Sequence, residues 1–157
     1  MKDWKKLLIS ILLCQMAGVV GAFFTTPAIK SWYVFLLKPT FAPPNWIFGP
    51  VWVTLYILMG ISLYLVWKKG LNKKEVRSAF NLFLIHLIFN SLWSIVFFGL
   101  KSILGGLIEI SILLILVSVI IFKFYKIDKV SAYLLIPYFF WGAFATFLNF
   151  NIMILNL

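Results

Sequence analysis

The placement of charge along this chain constrains its fold more than any other feature. Between Lys6 and Lys30 lie 23 residues without formal charge, between Lys38 and Lys68 lie 29, and between Arg77 and Lys101 another 23. Ser102 to Phe122 is a run of 21 broken only by Glu109, and nothing from Val130 to Leu157 is charged. A helix needs about 20 apolar residues to cross a hydrocarbon layer roughly 30 Å thick. Five runs meet that length. They are continuously apolar and lack the alternation of a membrane barrel, so helices are expected and strands are not. Composition agrees: 64% of the residues are hydrophobic and only 11% charged, too little polar surface for a water-soluble domain.

The expected fold is therefore an all-α membrane protein, a five-transmembrane-helix bundle with a long lid loop between helices 1 and 2. Its spans fall at about 7–26, 45–67, 76–98, 102–122 and 130–154, and one transmembrane domain covers 1–157. The apolar run after Lys6 is read as a span and not a cleaved signal, because it is long and Phe23-Phe24 suits cleavage poorly. Short loops after spans two, three and four make sequential helices antiparallel neighbours. Cys14 is the one cysteine and falls inside the first span, so no disulfide framework is expected.

A net charge of +10 does not signal nucleic acid here, because the basic residues flank the spans instead of forming one face. Eleven belong to the N-terminus, loop 68–77 and loop 123–129, and three (Lys30, Lys38, Lys101) to the opposite side. The positive-inside rule then puts the N-terminus in the cytoplasm and the C-terminus outside a multiply crossed cell membrane. The connection 27–44 is the longest. Its Ile29–Leu37 part, with Trp32, Tyr33, Phe35 and Leu36, suits a short interfacial helix, and Pro39, Pro43 and Pro44 stiffen the rest of the connection. Pro50 falls where a missing donor costs little, and Pro137 is a candidate kink.

Helical spacing groups the unusual side chains. Trp52 and Tyr56 are four apart; His86, Asn90 and Trp93 step by four and three; Trp141, Ala145 and Asn149 step by four. Each set stacks on one helix face, and all fall in the outer half of the bundle beneath the 27–44 connection. Indole and phenol tips need partners when buried. Together these residues describe a flat-walled pocket with a few polar groups, suited to a planar aromatic ligand. Plainer roles stand beside this one. Trp4 and Trp67 fit an aromatic belt, Asn90 and Asn149 equally fit interhelical hydrogen bonding, and His86 fits a hydrogen-bonded bundle histidine better than a haem ligand. Glu109, the one intramembrane acid, has either a structural hydrogen bond or a pocket role. The chain shows no paired-carboxylate pattern, no Cys/His pair and no metal cluster.

The residues that carry these features also carry a resemblance. Lys38-Pro39, Pro43-Pro44-Asn45-Trp46-Ile47-Phe48-Gly49-Pro50-Val51-Trp52, Leu55-Tyr56, Met59-Gly60 and Val66-Trp67 resemble the signature of the TspO/MBR family, the bacterial tryptophan-rich sensory proteins and mitochondrial translocator proteins (peripheral benzodiazepine receptors). Asn90, Trp93 and Phe97-Phe98-Gly99 match in span three, as do Pro137-Tyr138, Trp141, Phe144-Ala145 and Leu148-Asn149 in span five. The resemblance implies a homodimer whose pocket binds porphyrins (protoporphyrin IX, haem) and benzodiazepine-type ligands, with no tightly bound cofactor. The residues it assigns to that pocket are Trp52, Tyr56, Asn90, Trp93, Trp141, Ala145, Leu148 and Asn149, with Trp46 and the 27–44 loop as lid. It implies a sensor in tetrapyrrole regulation or stress response. The alternative is a light- and oxygen-dependent porphyrin-degrading enzyme with Trp52 and Trp141 as its redox-active side chains. A tetrapyrrole transporter ranks last, because no inverted repeat is visible. Three departures stand out. His86 replaces a frequent Gln, Glu109 a common Asp, and Phe150 the tyrosine of a C-terminal sterol motif that also lacks its basic residue here, so sterol recognition is not carried over.

Overall fold

The computed structural model describes residues 2–157. Five long helices account for nearly all of them: α1 (Asp3–Ser31), α2 (Asn45–Trp67), α3 (Lys74–Ser94), α4 (Ile103–Ile127) and α5 (Lys129–Leu155). All five are long and apolar enough to cross a membrane. Polar side chains mark the sharper ends. Ser102 accepts the Gly105 N–H at 3.1 Å to start α4, and Asp128 accepts the Ser131 N–H at 3.1 Å to start α5, each satisfying a donor that has no partner inside its helix. Asp3 in the first turn of α1 and Lys30 in its last complement the helix dipole.

Two spans run five residues past their expected ends, α1 to Ser31 and α4 to Ile127 instead of Phe122. The first is expected to stop at Thr26, before Pro27, yet α1 continues to Ser31, and Trp32 N–H closes on the Ala28 carbonyl at 2.9 Å. A proline costs a membrane helix one hydrogen bond, whereas leaving the helix in an apolar layer would expose every following peptide group. The expected interfacial helix at 29–37 shrinks accordingly to a single 3₁₀ turn, Tyr33–Phe35. The third span continues from α3 into a π-helical turn, Ile95–Gly99, where Leu100 N–H reaches the Ile95 carbonyl at 2.8 Å. Neither Pro50 nor Pro137 interrupts its helix.

Around the bundle the helices follow the order α1, α2, α5, α4, α3. The expected neighbour pairs α3/α4 and α4/α5 are formed, but α2 and α3 are not adjacent in this order: α1 packs against both, and α2 meets α3 at few points, Trp67 on Phe80 among them. Glycines make this packing of α1 possible. A side chain at Gly60 of α2 would collide with the Ile11 backbone of α1, the Tyr56 ring lies over Gly18, and Ser94 packs on Gly21. Small residues of this kind let membrane helices approach closely.

The two halves of the bundle differ in packing. At the end away from the 32–44 connection, Met59, Leu63, Val66, Ala79, Phe83, Ile120, Phe124 and Leu135 fill the centre without solvent access. Ser62 Oγ donates to the Ser131 carbonyl at 2.7 Å and ties α2 to α5 there. At the same end, Lys69 and Asp128 form an ion pair of 2.9 Å between the α2–α3 and α4–α5 turns. Burial weighs against ionising Asp128, but the Lys69 hydrogen bond, the Ser131 N–H and the Lys69 charge outweigh it and hold the carboxyl below its ordinary value of 3.8. The other half of the bundle is hollow.

Candidate functional site

The hollow half encloses a cavity of about 470 Å³, within the usual range for small-molecule sites. All nine residues singled out from the sequence line it: Trp46, Trp52 and Tyr56 from α2, Asn90 and Trp93 from α3, and Trp141, Ala145, Leu148 and Asn149 from α5. Spacing of three or four residues within Trp52/Tyr56, Asn90/Trp93 and Trp141/Ala145/Asn149 turns these side chains toward the same space. Trp52 stacks on Tyr56 with ring centroids 5.5 Å apart and an interplanar angle of 27°. Trp93 stacks on Phe97 at 5.3 Å and 18°, and Trp141 meets the edge of Phe48 at 5.8 Å. Flat rings therefore form three of the walls.

The fourth wall comes from α1, and the sequence reading missed it. Gln15, Gly18, Gly21, Ala22, Thr25, Thr26 and Ile29 line the cavity. The signal was present as small residues at 18, 21, 22 and 25 on one helix face, but such a stripe reads first as helix packing. On this side the cavity reaches the surface of the bundle. Val19 of α1 is 68% exposed and Val53 of α2 51% exposed, and both are lining residues. The gap between α1 and α2 closes where Gln15 Nε2 donates to the Val53 carbonyl at 3.1 Å, and below that point Gly60 and Ile11 hold the helices in contact.

Of the 27–44 segment expected to form the lid, only Ile29 and Tyr33 line the cavity. Residues 36–44 run instead as a strap toward α5. Phe41 stacks on Phe147 at 5.3 Å and 18°, and Asn156 clasps both backbone groups of Leu37, accepting its N–H at 3.0 Å and donating to its carbonyl at 2.9 Å. Trp46 stands at the rim, 74% exposed. Lys38 Nζ lies 4.7 Å above the Tyr33 ring, with the Leu36 carbonyl at 3.0 Å. Burial raises the Tyr33 hydroxyl above its ordinary value of 10 and keeps it neutral.

No charged side chain lines the cavity among the described residues. Besides the side chains of Gln15, Thr25, Thr26, Tyr33, Asn45 and Ser94, two sets of polar groups stand at or behind its wall. One is a hydrogen-bonded chain. The Tyr56 hydroxyl donates to Asn90 Oδ1, Asn90 Nδ2 donates to the Tyr138 hydroxyl at 3.0 Å, and that hydroxyl lies 2.8 Å from His86 Nε2. The other set has no partner within the chain: the indole N–H groups of Trp93 and Trp141, and Asn149 Oδ1. Asn149 Nδ2 is used, donating to the Ile103 carbonyl at 3.0 Å. Unpaired buried donors and acceptors are costly, and these three atoms are themselves out of solvent contact.

His86 and Glu109 lie outside the cavity wall. His86 is fully buried and occupied by Tyr138, so it is placed for a hydrogen bond and not for a metal in the cavity. Glu109 sits on α4, which contributes no lining residue, and neither of its oxygens has a partner. No group of three or more metal-ligating side chains occurs among the described residues.

Comparison with known proteins places these features. Residues 10–155 match the model of the TspO/MBR family. The chain is 45% identical to the tryptophan-rich protein TspO of Archaeoglobus fulgidus, over 96% of this chain and 97% of that protein. It is 31% identical to the tryptophan-rich sensory protein of Cereibacter sphaeroides, over 98% and 93% of the two chains. Similarity extends to the translocator protein of Homo sapiens, 36% identical over 83% of this chain and 78% of that one.

Proposed function

The chain belongs to the TspO/MBR family, and on that premise we propose that its cavity binds planar, largely apolar ligands of the tetrapyrrole class, porphyrins and haem, together with benzodiazepine-type compounds. On this reading the protein is a membrane sensor in tetrapyrrole regulation or stress response. It works as a homodimer in the cell membrane with its N-terminus in the cytoplasm. One observation carries the ligand class: an uncharged cavity of about 470 Å³ with indole and phenol rings on three sides. Flat rings favour a flat ligand through stacking and area burial. An uncharged wall cannot compensate a buried carboxylate, so the acid groups of a porphyrin belong at the rim, on the side of Lys38 and Tyr33.

A second reading, light- and oxygen-dependent degradation of the bound porphyrin, has its own support. Trp52 lines the cavity and touches both Tyr56 and, edge-on at 6.1 Å, Tyr138, so a continuous aromatic path leads from the wall into the core. Titration with protoporphyrin IX in the dark, followed by illumination in air with product analysis, separates the two readings. Dark binding with an unchanged chromophore in light supports the sensor. Chromophore loss that requires the protein, and that collapses when Trp52 and Trp141 are both replaced by Phe, supports the enzyme. Absence of saturable dark binding would refute the ligand assignment itself.

A further inference from the structure

The hydrogen-bonded chain at the cavity floor has a direction. Tyr56 donates to Asn90 Oδ1, and Asn90 donates to the Tyr138 oxygen. The remaining Tyr138 proton then has one acceptor within reach, His86 Nε2 at 2.8 Å. With His86 in its Nδ1–H tautomer, Nε2 accepts this proton and each link of the chain has one donor and one acceptor; Nδ1 itself has no partner. A phenol hydrogen-bonded to an imidazole base is poised to lose an electron and a proton together, because the base takes the proton the radical cannot keep. Tyr138 is 2% exposed and His86 fully buried. Neither lines the cavity, yet the Tyr138 ring is 6.1 Å from Trp52, which does.

We propose that Tyr138 and His86 form a proton-coupled redox pair that takes up the oxidising equivalent produced when light excites a tetrapyrrole in the cavity. This rests on the tetrapyrrole reading of the cavity. The excited tetrapyrrole takes one electron from Trp52 and becomes its radical anion. Trp52 is refilled by one electron from Tyr138. The Tyr138 O–H bond breaks, its proton forms an N–H bond at His86 Nε2, and the products are a neutral phenoxyl radical and an imidazolium. Return of the electron reverses each step. The pair thus moves the hole from the exposed cavity wall into a core closed to water, and the two residues act through Trp52 without touching the ligand.

The test uses the protein in lipid nanodiscs with protoporphyrin IX. Dark affinity is measured first by absorbance titration. The loaded protein is then frozen and illuminated without oxygen, with a cobalt(III) ammine as sacrificial acceptor for the porphyrin anion, and examined by electron paramagnetic resonance. A tyrosyl signal that narrows on ring-deuteration of tyrosine is expected in the wild type, and it disappears in Tyr138→Phe. In His86→Gln the amide oxygen still accepts the phenol hydrogen bond but is no base. Dark affinity there stays within about threefold, while the tyrosyl yield falls by at least about tenfold. A porphyrin-loaded wild type that gives only a tryptophanyl signal overturns the pair, as does an unchanged tyrosyl yield in either variant. Failure of the wild type to bind protoporphyrin in the dark is a different result: it sinks the ligand reading, and the pair with it.

Discussion

Gly60→Ala tests whether close approach of α1 and α2 holds the bundle together. A Cβ built on Gly60 would lie 2.6 Å from Ile11 Cα, 2.8 Å from Ile11 Cγ1 and 2.9 Å from Ile11 N. Two of these atoms are backbone and cannot swing aside. Ordinary contact begins at 3.4 Å, so the helices must part by roughly 0.8 Å, a gap that forfeits a quarter to a half of the dispersion energy of the contacts around it. Overpacking of this kind costs about 1–3 kcal/mol, which lowers the melting temperature by about 2–4 °C per kcal/mol for a chain of this size. Cys14 supplies the assay, because it is the sole cysteine and has no exposure in the fold. A thiol-reactive dye therefore reports unfolding directly. Gly142→Ala is the control, since the nearest atom to its added Cβ, Leu114 Cδ1, is at 3.6 Å. If both variants melt within about 1 °C of the wild type, the glycine contact does not set the stability of the pair.

Other substitutions test other parts of the structure. Ala145 lines the cavity one turn from Trp141 and Asn149, so Ala145→Leu should fold normally yet weaken protoporphyrin binding at least about tenfold, or about 1.4 kcal/mol; unchanged affinity in the same titration would move the ligand elsewhere. Asp128 has a lowered carboxyl pKa in the folded state, so its contribution to stability is present above about pH 4 and is lost as pH falls through the folded value. Asp128→Ala should cost about 1 kcal/mol or more through loss of the helix cap, whereas Asp128→Asn keeps the cap and loses only the Lys69 ion pair, about 1 kcal/mol at most; equal melting curves for the two would remove the cap from the account. For orientation, with Cys14 replaced, a cysteine at Ser31 or Asn156 should react with an impermeant maleimide in intact cells and one at Asn72 should not. The reverse pattern would invert the protein in the membrane.

The helices were legible because a charge inside a hydrocarbon layer is expensive, so Lys6, Lys30, Lys38 and Lys68 bracket the first two spans before any packing is known. Their ends were less legible. Pro27 reads as a stop in water, and only the demand for paired peptide groups in the membrane explains why α1 runs on to Ser31. Neighbour relations were legible where a short loop forces them, as at α3/α4, and not at α2/α3, where α1 packs against both through contacts made by absent side chains at Gly18, Gly21 and Gly60. The same reason hid the α1 wall of the cavity. Aromatic and amide side chains at helical spacing advertise a face. Glycine and alanine leave room without announcing it.

The opening between α1 and α2 has a consequence for how affinity is measured. A site with its doorway in the side of the bundle, at Val19 and Val53, samples whatever is dissolved in the surrounding lipid. Water is not the reservoir. For an apolar ligand that partitions strongly into bilayers, occupancy then follows the mole fraction of ligand per lipid, and a dissociation constant expressed per litre of buffer describes the sample as much as the protein. Doubling the lipid at fixed total ligand and protein should halve the mole fraction and move the apparent midpoint upward about twofold. A midpoint indifferent to lipid would mean that the ligand does not partition into the bilayer; the route of entry sets the rate of binding and not its midpoint.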